Sequence, residues 1–301
     1  MNRMTLKQLE AFYWAATCES FAIAADKLHI SQSSLSKRLV ELETGIGQTL
    51  FNRDARRASL TADGRTLLPK ARALLSHAEE VAASIGASGT IRGRFRLGVG
   101  EITASSWMPK LVSTLKERHP QLKLEPYVGL GLELEAKLLS GKLDAAIVAR
   151  PSTSPALDSV LLAKAEYVWV AGRETIRPGQ TAEDMVADMP VITMSQQAGS
   201  TLIFDAWRKE SGATVCEIIE SNSMATMAGL VSAGIGIGYL PSGWLRPMLR
   251  RGTLVVVPTK TPLQPVDYRF YWRGDDSRAV TSTLREVALE VVDYGESLLM
   301  L

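Results

Sequence analysis

Residues 20–42 read SFAIAADKLHISQSSLSKRLVEL, and this run decides how the N-terminal part of the chain folds. Ser31 stands just ahead of an apolar-periodic segment, the place of a helix N-cap, and the helix it opens extends to about Glu43. Leu35, Leu39 and Leu42 recur at steps of four and three, so they share one buried face. Ser33, Lys37 and Val40 fall nearly opposite, flanked by Ser34, Ser36 and Arg38. Upstream, Phe21, Ala24, Ala25 and Leu28 form a second, shorter apolar stripe behind the cap candidate Ser20. The break at His29 and Ile30 leaves only a short turn between them. Two short helices joined this tightly, the second showing hydroxyls and cations outward, are expected to form a helix-turn-helix whose second helix enters a major groove. Small residues let such a helix approach base edges, and its cations reach guanine acceptors or phosphates. The candidate contacts are Gln32, Ser33, Ser34, Ser36, Lys37 and Arg38.

Working outward, residues 5–18 read as a preceding helix with Leu6, Leu9, Phe12, Tyr13 and Ala16 inward. At this spacing Tyr13 and Trp14 are read as core aromatics rather than as a stacking platform. Past Gly45 and Gly47, residues 49–61 (TLFNRDARRASLT) alternate enough for a short two-stranded wing with Asp54, Ala55 and Arg56 near its tip. Arg53, Arg56 and Arg57 suit phosphate and minor-groove contacts, the alternative being a solvated basic turn. From Thr61, a cap candidate, Leu67, Ala71, Leu74, Ala78, Val81 and Ile85 follow at steps of four and three. That is a heptad seam, either of a dimerisation helix or of a helix buried within one chain. A dimer would supply the two-fold symmetry with which a helix-turn-helix reads two half-sites. Pro69 is expected to kink this helix or to start its straight part, and residues 86–93, rich in glycine, to form a hinge.

Residues 20–64, SFAIAADKLHISQSSLSKRLVELETGIGQTLFNRDARRASLTADG, resemble the N-terminal domain of LysR-type transcriptional regulators. The resemblance rests on the Ala-Ala pair before Leu28, Ser-Gln-x-x-Leu-Ser, Leu-Glu, Leu-Phe-x-Arg and Leu-Thr-x-x-Gly. The family often has proline where this chain has Ser33, so base preference does not carry over. The family's position matching Arg56 reaches toward the minor groove, which favours Arg56 over Arg57.

Beyond residue 93 strands and helices alternate. Strands are expected near residues 95–99, 122–127, 145–148, 167–170, 191–194, 235–240, 254–257 and 268–272, and helices near 107–118, 132–140, 204–210, 224–233 and 281–299. This rhythm implies βαβ units on mostly parallel sheets, an α/β fold. The resemblance implies a winged helix-turn-helix domain over residues 1–61, a linker helix and hinge over 62–90, and a two-lobed, periplasmic-binding-protein-like effector domain over 91–301. On the same basis, residues 91–163 with 266–301 form lobe 1 and residues 164–265 form lobe 2.

Ligands of open α/β sheets bind beyond the carboxyl ends of strands, against helix N-termini. Four loops qualify: residues 100–106, 128–131, 195–201 and 221–223, although each hydroxyl there serves equally well as a helix cap. The resemblance places effector contacts at Ile102, Thr103, Gly131, Ser195 and Asn222, with Glu101 and Gln196 in the same loops. The family often has serine or threonine at the positions of Ile102 and Gly131, so part of its hydroxyl lining is missing here. Glu101 disfavours an anionic ligand unless it points away, Arg150 can offset it, and the effector's charge stays open.

The net charge of the 301 residues is +2, which excludes a strongly basic nucleic-acid coat. Residues 1–94 nevertheless carry 13 Lys/Arg against 9 Asp/Glu, leaving 21 against 23 elsewhere, so the basic excess sits in the segment expected to meet DNA. Cys18 and Cys216 form no CxxC, the three histidines show no metal-ligand spacing, and no GxSxG, HExxH or Walker loop occurs. The glycine run after Ala233 lies between a helix and a strand, the wrong order for a dinucleotide loop. No cofactor, metal or catalytic residue is expected. With no leader pattern or membrane-length apolar run, the chain is expected in the cytoplasm. The expected partners are double-stranded DNA with an imperfect dyad, a small-molecule effector, and copies of the chain as a homodimer and, by resemblance, a homotetramer. Two rival classes are a ligand-binding protein whose helical head serves assembly only, and an enzyme on the α/β portion.

Overall fold

Hydroxyl caps set the first three helices. The computed structural model describes residues 4–52, 59–85 and 91–295. Thr5 and Gln8 exchange bonds in a capping box ahead of α1 (Leu6–Thr17). Ser20 accepts the Ile23 amide ahead of α2 (Phe21–Lys27), and Ser31 accepts the Ser34 amide at 3.1 Å ahead of α3 (Gln32–Ile46). His29 makes the turn between α2 and α3 with φ 54°. Phe12, Leu35, Leu42 and Leu50 are fully buried, and Phe51 packs edge-on against Phe12 and Phe21. The wing pairs β1 (Phe51–Asn52) with β2 (Ser59–Leu60), tied to α3 where the Glu43 carboxylate accepts the Leu50 and Phe51 amides. Leu6, expected inward, is instead 51 % exposed, while Trp14 is 7 % exposed. α1 thus buries a face turned toward Trp14, because a second surface covers it from outside the head.

Thr61 accepts the Gly64 amide at 3.0 Å and caps α4 (Ala62–Ile85), which continues through Pro69 without a break. Its expected seam serves two purposes. Ala71 is fully buried in the head core with Leu67 packed beside it, whereas Leu74 and Val81 are 47 and 46 % exposed.

The first lobe contains β3 (Gly93–Val99), α5 (Glu101–Ser105), α6 (Met108–Arg118), β4 (Leu122–Val128), α7 (Gly131–Leu139), β5 (Ala145–Val148) and β6 (Leu157–Ala165). The second contains β7 (Tyr167–Gly172), α8 (Ala182–Asp188), β8 (Val191–Met194), α9 (Thr201–Ser211), β9 (Ile218–Ser221), α10 (Met224–Ser232), β10 (Ile237–Pro241), α11 (Arg246–Arg251) and β11 (Leu254–Val256). The chain then returns through β12 (Val266–Arg273) and α12 (Ala279–Val291). The sheet orders are β4-β3-β5-β12-β6 and β11-β7-β10-β8-β9. β3 is parallel to β4 and β5, and β8 to β9 and β10. The crossing strands β12 and β7 enter antiparallel, so each sheet is mixed rather than mostly parallel.

Some elements escaped the sequence reading. α8 and α11 have only 7 and 6 residues, too few to show a helical period. β6 and β9 carry no clean run of buried residues. The C-terminal helix, expected to residue 299, ends at Val291. There the Asp293 carboxylate takes the Gly295 amide at 2.6 Å, and Tyr294 turns inward against the Tyr268 ring. The glycine run after Ala233 packs closely: a Cβ on Gly236 would lie 2.2 Å from the Pro190 carbonyl oxygen. Among the described residues no helix is long and apolar enough to cross a membrane, and no His/Cys/Asp/Glu group could hold a metal ion.

Candidate DNA-recognition face and interlobe cleft

α3 is two-sided in the way its spacing requires. Leu35, Leu39 and Leu42 are 0, 5 and 1 % exposed, while Gln32, Ser33, Ser34, Ser36 and Lys37 face solvent. Val40, 54 % exposed, extends that face with an apolar surface suited to a thymine methyl. The Ser31 hydroxyl lies 2.8 Å from that of Ser33 and 2.9 Å from that of Ser34, so the cap and two candidate readers form one cluster at the helix start. Arg38 is half-buried near Glu10 of α1. Burial pushes the Glu10 carboxyl above its usual range, and the charges of Arg38 and Lys7 partly counter it. Arg53 and Arg56 lie outside the described residues.

The second site lies between the lobes, where α5 begins. The Glu101 carboxylate crosses to lobe 2 and accepts the amides of Met224 at 2.7 Å and Ala225 at 3.0 Å, and the Ser223 hydroxyl at 3.3 Å. These groups form the N-terminus of α10, where free amides and the helix dipole favour an anion. The Leu132 amide also donates to the Gln197 carbonyl at 3.1 Å, closing the lobes a second time. Gly199 permits that closure, because a Cβ there would sit 2.5 Å from the Ala149 carbonyl.

A cavity of about 380 Å³ lies in this closed cleft. Of the expected residues, Glu101, Ile102, Gly131 and Asn222 line it. Thr103 does not: it is fully buried, and its hydroxyl lies 2.8 Å from that of Tyr294. Two residues past Glu101 on a helix of five residues, it falls on the core side. Ser195 and Gln196 are likewise outside the cavity lining. The Ser195 hydroxyl is buried without a hydrogen-bond partner among the described residues, and Gln196 is exposed, its carbonyl 3.5 Å from an Arg150 nitrogen. Arg150 therefore does not offset Glu101; the amides of α10 do.

Sequence reasoning missed Tyr167 and Tyr268, which line the cavity with hydroxyls 3.1 Å apart. Burial pushes the Tyr268 phenol up to about 12 and holds that of Tyr167 well above its ordinary value, so both stay neutral and can donate as well as accept. Both sit near the starts of crossing strands, β7 and β12, and that position was the available signal. Met194, Met224 and Leu134 add apolar walls.

Residues 88–293 match the family model of the LysR substrate binding domain, and residues 6–65 that of the lysR-family bacterial regulatory helix-turn-helix proteins. The chain is 29 % identical over 297 residues to the transcriptional regulator ShiR of Corynebacterium glutamicum, covering 96 % of this chain and 99 % of that one. It is 39 % identical over 165 residues to a probable hydrogen peroxide-inducible genes activator of Mycobacterium xenopi, covering 54 and 87 %. Among solved structures, a mutant of OxyR from Corynebacterium glutamicum aligns with a TM-score of 0.59 at 27 % identity, over 96 % of this chain and 92 % of that one. ArgP from Mycobacterium tuberculosis aligns with a TM-score of 0.63 at 20 % identity over 96 and 97 %, a likeness of fold.

Proposed function

The chain belongs to the LysR family, and from that premise we propose how its residues share the function. It is a DNA-binding transcriptional regulator whose C-terminal domain takes a small-molecule effector. We assign residues 1–61 to the DNA-binding domain, 62–90 to linker and hinge, and 91–301 to the effector domain. Gln32, Ser33, Ser34, Ser36 and Lys37 read base edges, Arg38 and the wing residues Arg53 and Arg56 contact phosphates or the minor groove, and the cytoplasm is where such a protein works. The observation that carries this reading is the exposure of Ser33 and Lys37 directly opposite the buried leucines of α3. A gel-shift titration over salt concentration tests it: affinity for a dyad-bearing duplex should fall steeply with salt, and Arg38→Ala, which removes a phosphate contact, should reduce the slope by about one. Salt-independent binding would leave only the assembly role for the head.

Relatives carry peroxide in their names, but the effector domain here has one cysteine, the exposed Cys216, while Cys18 lies in the head. A disulfide within one effector domain therefore lacks its second thiol, and a reversibly bound molecule is the better reading. Tyr167, Tyr268 and Asn222 supply polar contacts to it, and Ile102, Met194 and Met224 apolar ones. With Glu101 on the α10 amides, the closed cleft suits a neutral or cationic group, and a carboxylate ligand has to displace Glu101. Effector binding then shifts the population of lobe arrangements, to the extent of its differential affinity. Leu74 and Val81 on α4 offer a dimer seam, and the tetramer is proposed on family resemblance.

A further inference from the structure

The head does not stand clear of lobe 1. The Lys27 ammonium of α2 lies 2.5 Å from the Asp144 carboxylate, the two side chains 6 and 2 % exposed. The same Asp144 oxygen accepts from Arg278 at 2.7 Å, and Arg278 also meets Asp276 at 2.7 Å. The other Asp144 oxygen takes the Arg96 amide at 2.8 Å. Trp14 lies beneath this group, with Arg278 and Lys27 5.0 and 5.2 Å from its ring centre. Other bonds cross the junction too: the Tyr13 hydroxyl to the Asp275 carbonyl at 2.9 Å, Arg273 to the Thr17 carbonyl at 2.9 Å, the Glu19 amide to the Ser140 carbonyl at 3.1 Å, and Arg96 to the Asp26 carboxylate at 2.6 Å.

Arg96 midway along β3, Asp144 just before β5 and Arg273 at the end of β12 lie on the junction side of three adjacent strands. The opposite ends of the same strands reach the cleft, at Glu101, Ala149 and Tyr268. Each path from junction to cleft is five residues, roughly 17 Å of extended chain. A close-packed, hydrogen-bonded sheet of this kind moves as a plate. Buried ion pairs add little net stability, yet they fix one geometry, because separating them strands a charge. The junction also leaves a cavity of about 150 Å³ beside Tyr13, Trp14, Lys27, Arg72 and Arg278, so tight packing does not weld it shut.

We propose that lobe 1 grips the head directly through Lys27, Asp144 and Arg278, and that this junction carries movement of the cleft to the DNA-binding helices alongside the route through α4. The proposal rests on the effector and DNA-binding reading above. Gly141 provides a trap, because a Cβ there would lie 2.8 Å from the Cys18 sulfur. In full-length Gly141→Cys treated with oxidised glutathione, the new thiol and Cys18 should join within one chain, two reduced glutathiones leaving, so that Cys216 is the one free thiol left. Gly141 has φ +77°, so that variant is paired with a second measurement. Asp144→Asn should speed hydrogen exchange of the α2 and Glu19 amides about tenfold, with β4 protection unchanged. Unjoined thiols in a folded Gly141→Cys protein, or unaltered α2 exchange in Asp144→Asn, overturns the proposal. Salt-dependent duplex binding by the wild-type protein is read in parallel: its loss removes the DNA-binding reading, whereas intact binding with unjoined thiols removes the junction alone.

Discussion

The Glu101 carboxylate lies 2.7 Å from the Met224 amide, a bond between lobes that places a negative charge of the chain itself on the N-terminus of α10. Lobe closure thereby has an internal anion where a bound one would otherwise be favoured. Glu101→Gln keeps an acceptor and removes the charge, and is expected to weaken closure by about 1 kcal/mol. Hydrogen exchange at Met224 and Ala225 should rise several-fold; exchange equal to wild type would show that the contact does not hold the lobes.

Gly199→Ala forces a methyl group against the Ala149 backbone, where 2.5 Å is available. The closed arrangement should cost roughly 1–3 kcal/mol more. Small-angle scattering should report a larger radius of gyration, and salt-dependent DNA binding should persist. An unchanged radius with an unchanged melting temperature rejects the claim that the glycine is required for closure.

Asp144 gives the junction a pH limit. Burial alone would raise its carboxyl, but Arg278 and Lys27, with the Arg96 amide, hold it at about 2 against an ordinary value of 3.8. A carboxylate depressed in the folded state stabilises above its unfolded value and loses that contribution as pH falls toward the folded one. Between about pH 4 and pH 2 the wild type should lose on the order of 2 kcal/mol that Asp144→Asn does not lose. Parallel acid limbs in urea titrations of the two proteins would contradict this.

Lys37→Ala should weaken operator binding by about 1–3 kcal/mol while changing fold stability by less than about 0.5 kcal/mol, since the side chain is exposed. Arg38→Ala should cost stability as well, because Arg38 is half-buried beside Glu10. If both variants bind DNA as wild type does, the recognition face has been placed wrongly.

Residues 4–52 are largely legible from the order of their amino acids. Caps at Ser20 and Ser31 and the leucine steps of α3 hold in the fold, as do most strands and helices of the two lobes. The cleft is legible only as a set of loops. Glu101, Ile102, Gly131 and Asn222 meet there, Thr103 turns away, and the two tyrosines that line the cavity are marked only by standing near the starts of their strands.

The sequence by itself determined what depends on neighbours within a few positions: where helices begin, which face of α3 is apolar, where strands alternate with helices. Cap and period are interactions between residues whose separation the chain already sets. Tertiary structure alone decided that Glu101 meets Met224, 123 positions away, and that Lys27 meets Asp144, 117 positions away. Those meetings follow from strand order and lobe crossing, which no spacing along the chain encodes.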